Sequence, residues 1–339
     1  MIKKHILLTF LILLVGFSIL AQDSNVVSVK PRMRVIVDND YSGDPDGLFM
    51  LAHMLLSPSV DIRAVVGSHL RAGDGFDDSR QQAVNAAAKA KELIEIMSIK
   101  KPITVLTGSN SCMMDSQTPV KSEVIDFVIQ EANRTDTELP LYYVCGGGLT
   151  EIASVLVKEP SIADKLTVIW IGGPEHPTLA SPPPGYSIPE YNTNIDLAAA
   201  QVIFNHSNVP FWQVPRNAYR QTILSFAELQ LRVKPHGKTG AYLYQVIEEL
   251  MIRIQPFLNI GETYIYGDNP LVLLTALQSS FELDPASSDY ALLPAPLLDE
   301  KGQYNYNATG RNIRVYDRLD VRLMFEDFFA KLELHAQNK

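Results

Sequence analysis

Arg34-Val35-Ile36-Val37-Asp38-Asn39-Asp40-Tyr41-Ser42-Gly43-Asp44-Pro45-Asp46-Gly47 decides how the rest of the chain is read. The first five residues, RVIVD, are a short apolar run rich in β-branched side chains, the pattern of a strand buried on both faces of a parallel sheet. Its last residue opens a group of four carboxylates within nine positions, Asp38, Asp40, Asp44 and Asp46, and Asp46–Leu56 then reads as a helix. Ligands of open α/β sheets gather at the carboxyl ends of strands, so acids crowded directly after a buried strand mark a candidate site. Such crowding is costly unless a cation or a proton compensates it, and hard oxygen donors favour Ca²⁺ or Mg²⁺ over zinc. The plain alternative is a solvated acidic turn in which Asp44 and Asp46 cap the following helix.

Outward from this stretch, strand-like and helix-like segments alternate. Val60–Gly67, Ile103–Leu106, Leu141–Cys145, Leu166–Ile171 and Val209–Gln213 read as further short strands. Helical patterns lie at Arg80–Met97, Val120–Glu131, Glu151–Val157 and Leu197–Phe204. The alternation predicts an α/β fold with an open, mainly parallel central sheet flanked by helices, in a single domain over residues 33–335. Gly172–Pro189 is the one long irregular stretch, and a loop of that length in a compact domain usually has a function. Phe226–Gln278 reads as mostly helical, and a strand near Ile313–Tyr316 precedes a closing helix.

Residues 1–21 have the layout of a secretory signal peptide: Lys3 and Lys4, an apolar run from Ile6 to Leu20, and a small residue before polar Gln22 and Asp23. The run is shorter than the roughly 20 apolar residues of a membrane span, so no stable span is expected after processing. A polar leader, residues 22–32, precedes the domain, and a secreted or periplasmic location follows as an expectation. With 29 basic and 38 acidic residues the net charge is -9, which argues against a nucleic-acid partner. Removing residues 1–21 takes away two lysines and no acid. Two cysteines, Cys112 and Cys145, exclude a disulfide framework, and Cys145 reads as a buried free thiol.

Asp38, Asp40, Ser42 and Gly43 fit the start of an EF-hand loop, but its twelfth position would be Phe49 instead of a bidentate Glu. No Gly-x-Gly-x-x-Gly or Walker-type loop follows a strand, so a phosphate cradle is missing. No Gly-x-Ser-x-Gly elbow is present, and the histidines offer no metal pair at helical spacing.

Asp38-Asn39-Asp40 with Gly43, Asp44 and Asp46 resembles the amino-terminal signature of the inosine–uridine type nucleoside hydrolases, in particular a nucleoside hydrolase-like branch of exported bacterial proteins whose version reads Gly-Asp-Pro-Asp. Further blocks occur in the family's order. Gly147-Gly148-Leu149-Thr150-Glu151-Ile152-Ala153 is similar to its Gly-Pro-Leu-Thr-Asn-Ile-Ala, Ile171-Gly172-Gly173 to its Met-Gly-Gly, and Glu190-Tyr191-Asn192-Thr193-Asn194-Ile195-Asp196 to its Glu-Phe-Asn block. Gly267-Asp268 stands where the family has His-Asp, so the resemblance covers about residues 33–280.

The resemblance implies a calcium-dependent N-glycoside hydrolase acting on a ribonucleoside or related ribosyl compound. Asp40, Asp46, Asp268 and the Gly146 carbonyl would hold Ca²⁺, a metal-activated water would attack the anomeric carbon, and Asp40 and Asp44 would be catalytic. Asp44, His69, Glu190, Asn192 and Asn194 would meet the sugar, with Asp38 in support. Family members are often homo-oligomers, an expectation that extends to this chain. Two departures leave alternatives open. Pro45 splits the usual paired aspartates, so the roles of Asp44 and Asp46 can exchange. Gly267 replaces the histidine often assigned as the leaving-group acid, and His176, Tyr186, Arg216, Tyr219 and Tyr266 are the nearby candidates for its task. Hydrolysis of another, polysaccharide-derived glycoside and non-catalytic calcium-dependent sugar binding are the competing readings.

Overall fold

A computed structural model describes residues 29–186, 189–278 and 288–338. The signal-peptide expectation for 1–21 and most of the polar leader lie outside them. All features below belong to the compact unit Pro31–Lys339. Its strands in chain order are β1 (Met33–Asn39), β2 (Val60–Gly67), β3 (Val105–Thr107), β4 (Leu141–Cys145), β5 (Leu166–Ile171), β6 (Phe211–Val214), β7 (Ile223–Ser225), β8 (Thr263–Ile265), β9 (Asp289–Pro294), β10 (Leu297–Leu298), β11 (Tyr304–Asn305) and β12 (Asn312–Arg318).

Eight of these strands form one sheet in the order β3-β2-β1-β4-β5-β6-β12-β9. Every pairing in it is parallel except β12 with β9. The run of β1 shows why: Val35 and Val37 are fully buried in the core on one face, and Ile36 is fully buried in the core on the other. Each such side chain contributes about 1.5–3 kcal/mol by leaving water. The flanking helices, among them Asp46–Leu55, Gln82–Ile96, Gly237–Ile254 and Val321–Gln337, supply the facing apolar surfaces.

Chain order runs 3-2-1 to one side of the sheet and 4-5-6 to the other, so the winding reverses between β1 and β4. At such a switch point the two following connections leave in opposite directions and open a crevice beyond the strand ends. Asp38 pairs with Cys145 across this boundary and the Gly146 N–H donates to the Asp38 carbonyl at 3.0 Å. The acid-rich turn after β1 and the glycines after β4 therefore share the crevice.

The helix Asp46–Leu55 begins immediately after Pro45, whose φ of -63° is already helical. Asp46 places an acid in its first turn, favoured by the helix dipole. The sequence places β2, β4 and β5 at the observed bounds. It does not anticipate the antiparallel pair β7/β8, whose second strand falls within the stretch read as mostly helical, nor the antiparallel edge strand β9.

Candidate active site

A cavity of about 640 Å³ lies at the switch point. Asp40, Asp44, Asp46, Gly146, Glu190, Asn192 and Asp268 all face it. Residues far apart in the chain meet there because the ends of β1, β4 and β5 and the turn before Pro270–Leu273 converge.

Asn39 ties the acids together: its Nδ2 donates to Asp268 Oδ2 at 2.8 Å, and its Oδ1 accepts from the Asp40 N–H at 2.8 Å. Asn192 Nδ2 donates to the Gly146 carbonyl at 2.7 Å and to the Ile171 carbonyl at 2.8 Å, bracing β4 against β5 and leaving the second lone pair of Gly146. Glu190 Oε2 accepts from the Gly173 N–H at 2.8 Å and from the Thr193 N–H at 3.1 Å, and Tyr219 donates to Oε1 at 2.9 Å. Its carboxylate therefore both caps the short helix Tyr191–Ile195 and faces the cavity.

The acids are held close together and away from water. Burial is the largest cause raising Asp38 and Asp268 to about 7 and Asp44 to about 6. Asp40 and Asp46 are also pushed well above the carboxylate range, by burial and then by the negative charge of Asp268. Asp46 and Asp268 thus face one another as like charges, each raising the cost of ionising the cluster. Tyr264 donates its hydroxyl to both Asp44 oxygens at 2.8 Å.

Among the described residues, no three His, Cys, Asp and Glu side chains form a ready-made metal cage. The donor set nonetheless fits a hard cation. It comprises carboxylates in mutual repulsion and a backbone carbonyl, and a divalent cation would supply the compensating charge.

Glycine is required at position 146, because a Cβ there would stand 2.5 Å from Asn39 Nδ2 and 2.8 Å from the Asp268 carboxyl carbon. Gly146→Ala is expected to destabilise the fold by about 1–3 kcal/mol, the usual cost of overpacking. Urea unfolding of variant and parent reads the difference.

Asp38 sits behind the cavity, fully buried, accepting a hydrogen bond from the Tyr143 hydroxyl. His69 and Asn194 are not on the cavity wall. The His69 ring is fixed by the Leu70 carbonyl at Nδ1 and Thr150 Oγ1 at Nε2, each at 2.8 Å. Of the candidates for the missing acid, Tyr186 and Tyr219 line the cavity. His176 and Arg216 are instead engaged with Gln213 and Glu175, both at 2.8 Å. Tyr266 is fully buried and packs on Phe49 and Phe325.

Asn39, Phe76, Tyr191 and Tyr264 also belong to the site or brace it, and none is singled out by the sequence. Asn39 lies inside the quoted signature, and that position was the available signal.

The family model of the inosine-uridine preferring nucleoside hydrolases matches residues 35–289. Among curated relatives, the inosine-uridine preferring nucleoside hydrolase of Crithidia fasciculata is 28% identical over 224 residues, 61% of this chain and 62% of that protein. The enzyme of that name from Leishmania major is 33% identical over 129 residues, 37% of each. The chain thus spans less than two thirds of the length of these relatives. The fold is similar to that of a purine-preferring ribonucleoside hydrolase from Gardnerella vaginalis, with a TM-score of 0.70 at 18% identity, covering 90% of this chain and all of that one. With the family model running from β1 through the start of β9, this chain belongs to the inosine-uridine preferring nucleoside hydrolase family.

Proposed function

We propose that the protein is a calcium-dependent hydrolase that cleaves the N-glycosidic bond of a ribonucleoside or related ribosyl compound. The observation that carries this is the convergence of Asp40, Asp44, Asp46, Asp268, the Gly146 carbonyl, Glu190 and Asn192 on one cavity at the β1/β4 switch point. Asp40, Asp46, Asp268 and the Gly146 carbonyl would hold the ion. Bound calcium offsets carboxylate charge and organises oxygen ligands.

Asp40 takes a proton from the water that attacks the anomeric carbon. Asp40 reaches the cavity from the turn after β1, its backbone N–H held by Asn39 Oδ1. Asp44, held by Tyr264, and Glu190, held by Tyr219 and Gly173, accept hydrogen bonds from sugar hydroxyls. The Asn192 amide steadies the Gly146 carbonyl beside them. Positive charge develops on the sugar as the C–N bond breaks, and the surrounding carboxylates, most of them buried, stabilise it. An exported setting, resting on the layout of residues 1–21, is part of the same proposal.

The test incubates purified protein, calcium-loaded or chelated, with purine and pyrimidine ribonucleosides and with ribosides of aromatic leaving groups. Equimolar free sugar and leaving group in calcium, falling at least 100-fold on chelation and recovering on readdition, supports the proposal. Calcium binding with no sugar released from any of these compounds would overturn it.

A further inference from the structure

The cavity walls are supplied with acceptors and poor in donors for a leaving group. Among the described residues lining it there is no His, Lys or Arg. Three of its tyrosines already donate their hydroxyls to carboxylates: Tyr219 to Glu190 at 2.9 Å, Tyr264 to Asp44 at 2.8 Å and Tyr191 to Asp74 at 3.0 Å. The fourth, Tyr186, is half exposed, with its ring beneath the Arg216 guanidinium at 4.4 Å. Gly267 offers no side chain, and a Cβ there would meet Asp46 Oδ2 at 3.3 Å and the Tyr219 ring at 3.5 Å. These contacts are close to ordinary, so the position lacks an acid because the sequence places glycine there.

A purine or pyrimidine departs from a neutral nucleoside with an extra electron pair, and a general acid that protonates it contributes typically about 10²–10⁴ in rate. A ring nitrogen that is already quaternary needs no such help. The same walls suit a cation. Five carboxylates face the cavity, at Asp40, Asp44, Asp46, Glu190 and Asp268, more than the two charges of one calcium ion. The faces of Tyr191, Tyr219 and Tyr264, each phenol polarised by its carboxylate, are electron-rich, and cations are held over such faces. Arg216 and Arg220 stand against Tyr186 and Arg253 against Phe76, outside the lining itself.

We propose, resting on the N-glycoside hydrolase assignment above, that the preferred substrate class is an N-ribosyl heteroaromatic cation of the N-ribosylpyridinium type. The C–N bond breaks with its electron pair passing to the ring nitrogen, which leaves as a neutral heteroarene. The water oxygen bonds to the anomeric carbon, and its proton passes to Asp40 and then to solvent. Charge and electrons balance with no further reactant.

The test measures kcat/KM of the calcium-loaded protein at pH 7 for N-ribosylpyridinium-3-carboxamide, inosine, uridine and p-nitrophenyl riboside. The nitrophenyl compound is neutral and needs no acid to leave. A kcat/KM at least 100-fold higher for the pyridinium riboside than for inosine and uridine is expected, and a smaller ratio overturns the proposal. Cleavage of inosine or uridine with the pyridinium riboside inert overturns it while leaving the N-glycoside hydrolase assignment standing. Cleavage of none of the four overturns both.

Discussion

Asp40→Asn is expected to lower kcat by roughly 10³-fold or more, within the range that loss of a general base produces, while the chelated variant melts no lower than the chelated parent at pH 8. The two outcomes have one cause. Asp40 is buried against the negative charges of Asp268, Asp44 and Asp38, so its ionised form is unfavourable in the folded protein without a cation. The amide removes that charge with almost no change in volume. It also removes the base and a metal ligand. Steady-state kinetics on a cleaved riboside and melting curves in chelator read the two sides, and a variant that kept its kcat would remove Asp40 from the mechanism.

Calcium is expected to stabilise the protein, and more at pH 8 than at pH 5. The sign follows from the acids. Asp38 and Asp268 at about 7 and Asp44 at about 6 are raised above an unfolded value of about 4. Groups raised on folding contribute stability that is complete below their unfolded pKa and is lost as pH rises through the folded values. The chelated protein should therefore weaken between about pH 4 and pH 7. A bound cation favours the ionised carboxylates, so its contribution grows over the same interval. At calcium a hundredfold above its dissociation constant, mass action supplies about 2.7 kcal/mol, or roughly 5 °C in melting temperature for a domain of this size. Melts with calcium or chelator at the two pH values check this, and a calcium effect that shrank toward pH 8 would count against the carboxylate cluster as the metal site.

Much of this site is legible in one stretch of sequence because strand, turn and helix follow one another without interruption. RVIVD must be buried on both faces, which carries the acids after it to the carboxyl end of the strand, where Asp40, Asp44 and Asp46 face the cavity with Asp38 buried behind them. Local order carries no comparable information about Tyr264. Its partner Asp44 lies 220 positions away, and it sits in the three-residue strand β8, too short to show a period of two. The same holds for Tyr219, which meets Glu190 across 29 positions. His69 is drawn away from the cavity by Thr150, a hydroxyl that opens the helix after β4. A strand-end histidine therefore reads as a sugar contact from sequence while its ring is occupied elsewhere.

A crystal structure of the protein soaked with calcium and ribose would decide whether this acidic cavity is a metal-assisted sugar site. One cation contacted by Asp40, Asp46, Asp268 and the Gly146 carbonyl is expected, with sugar hydroxyls on Asp44 and Glu190. A cation and a sugar bound elsewhere, with these carboxylates contacting neither, would contradict the proposed site.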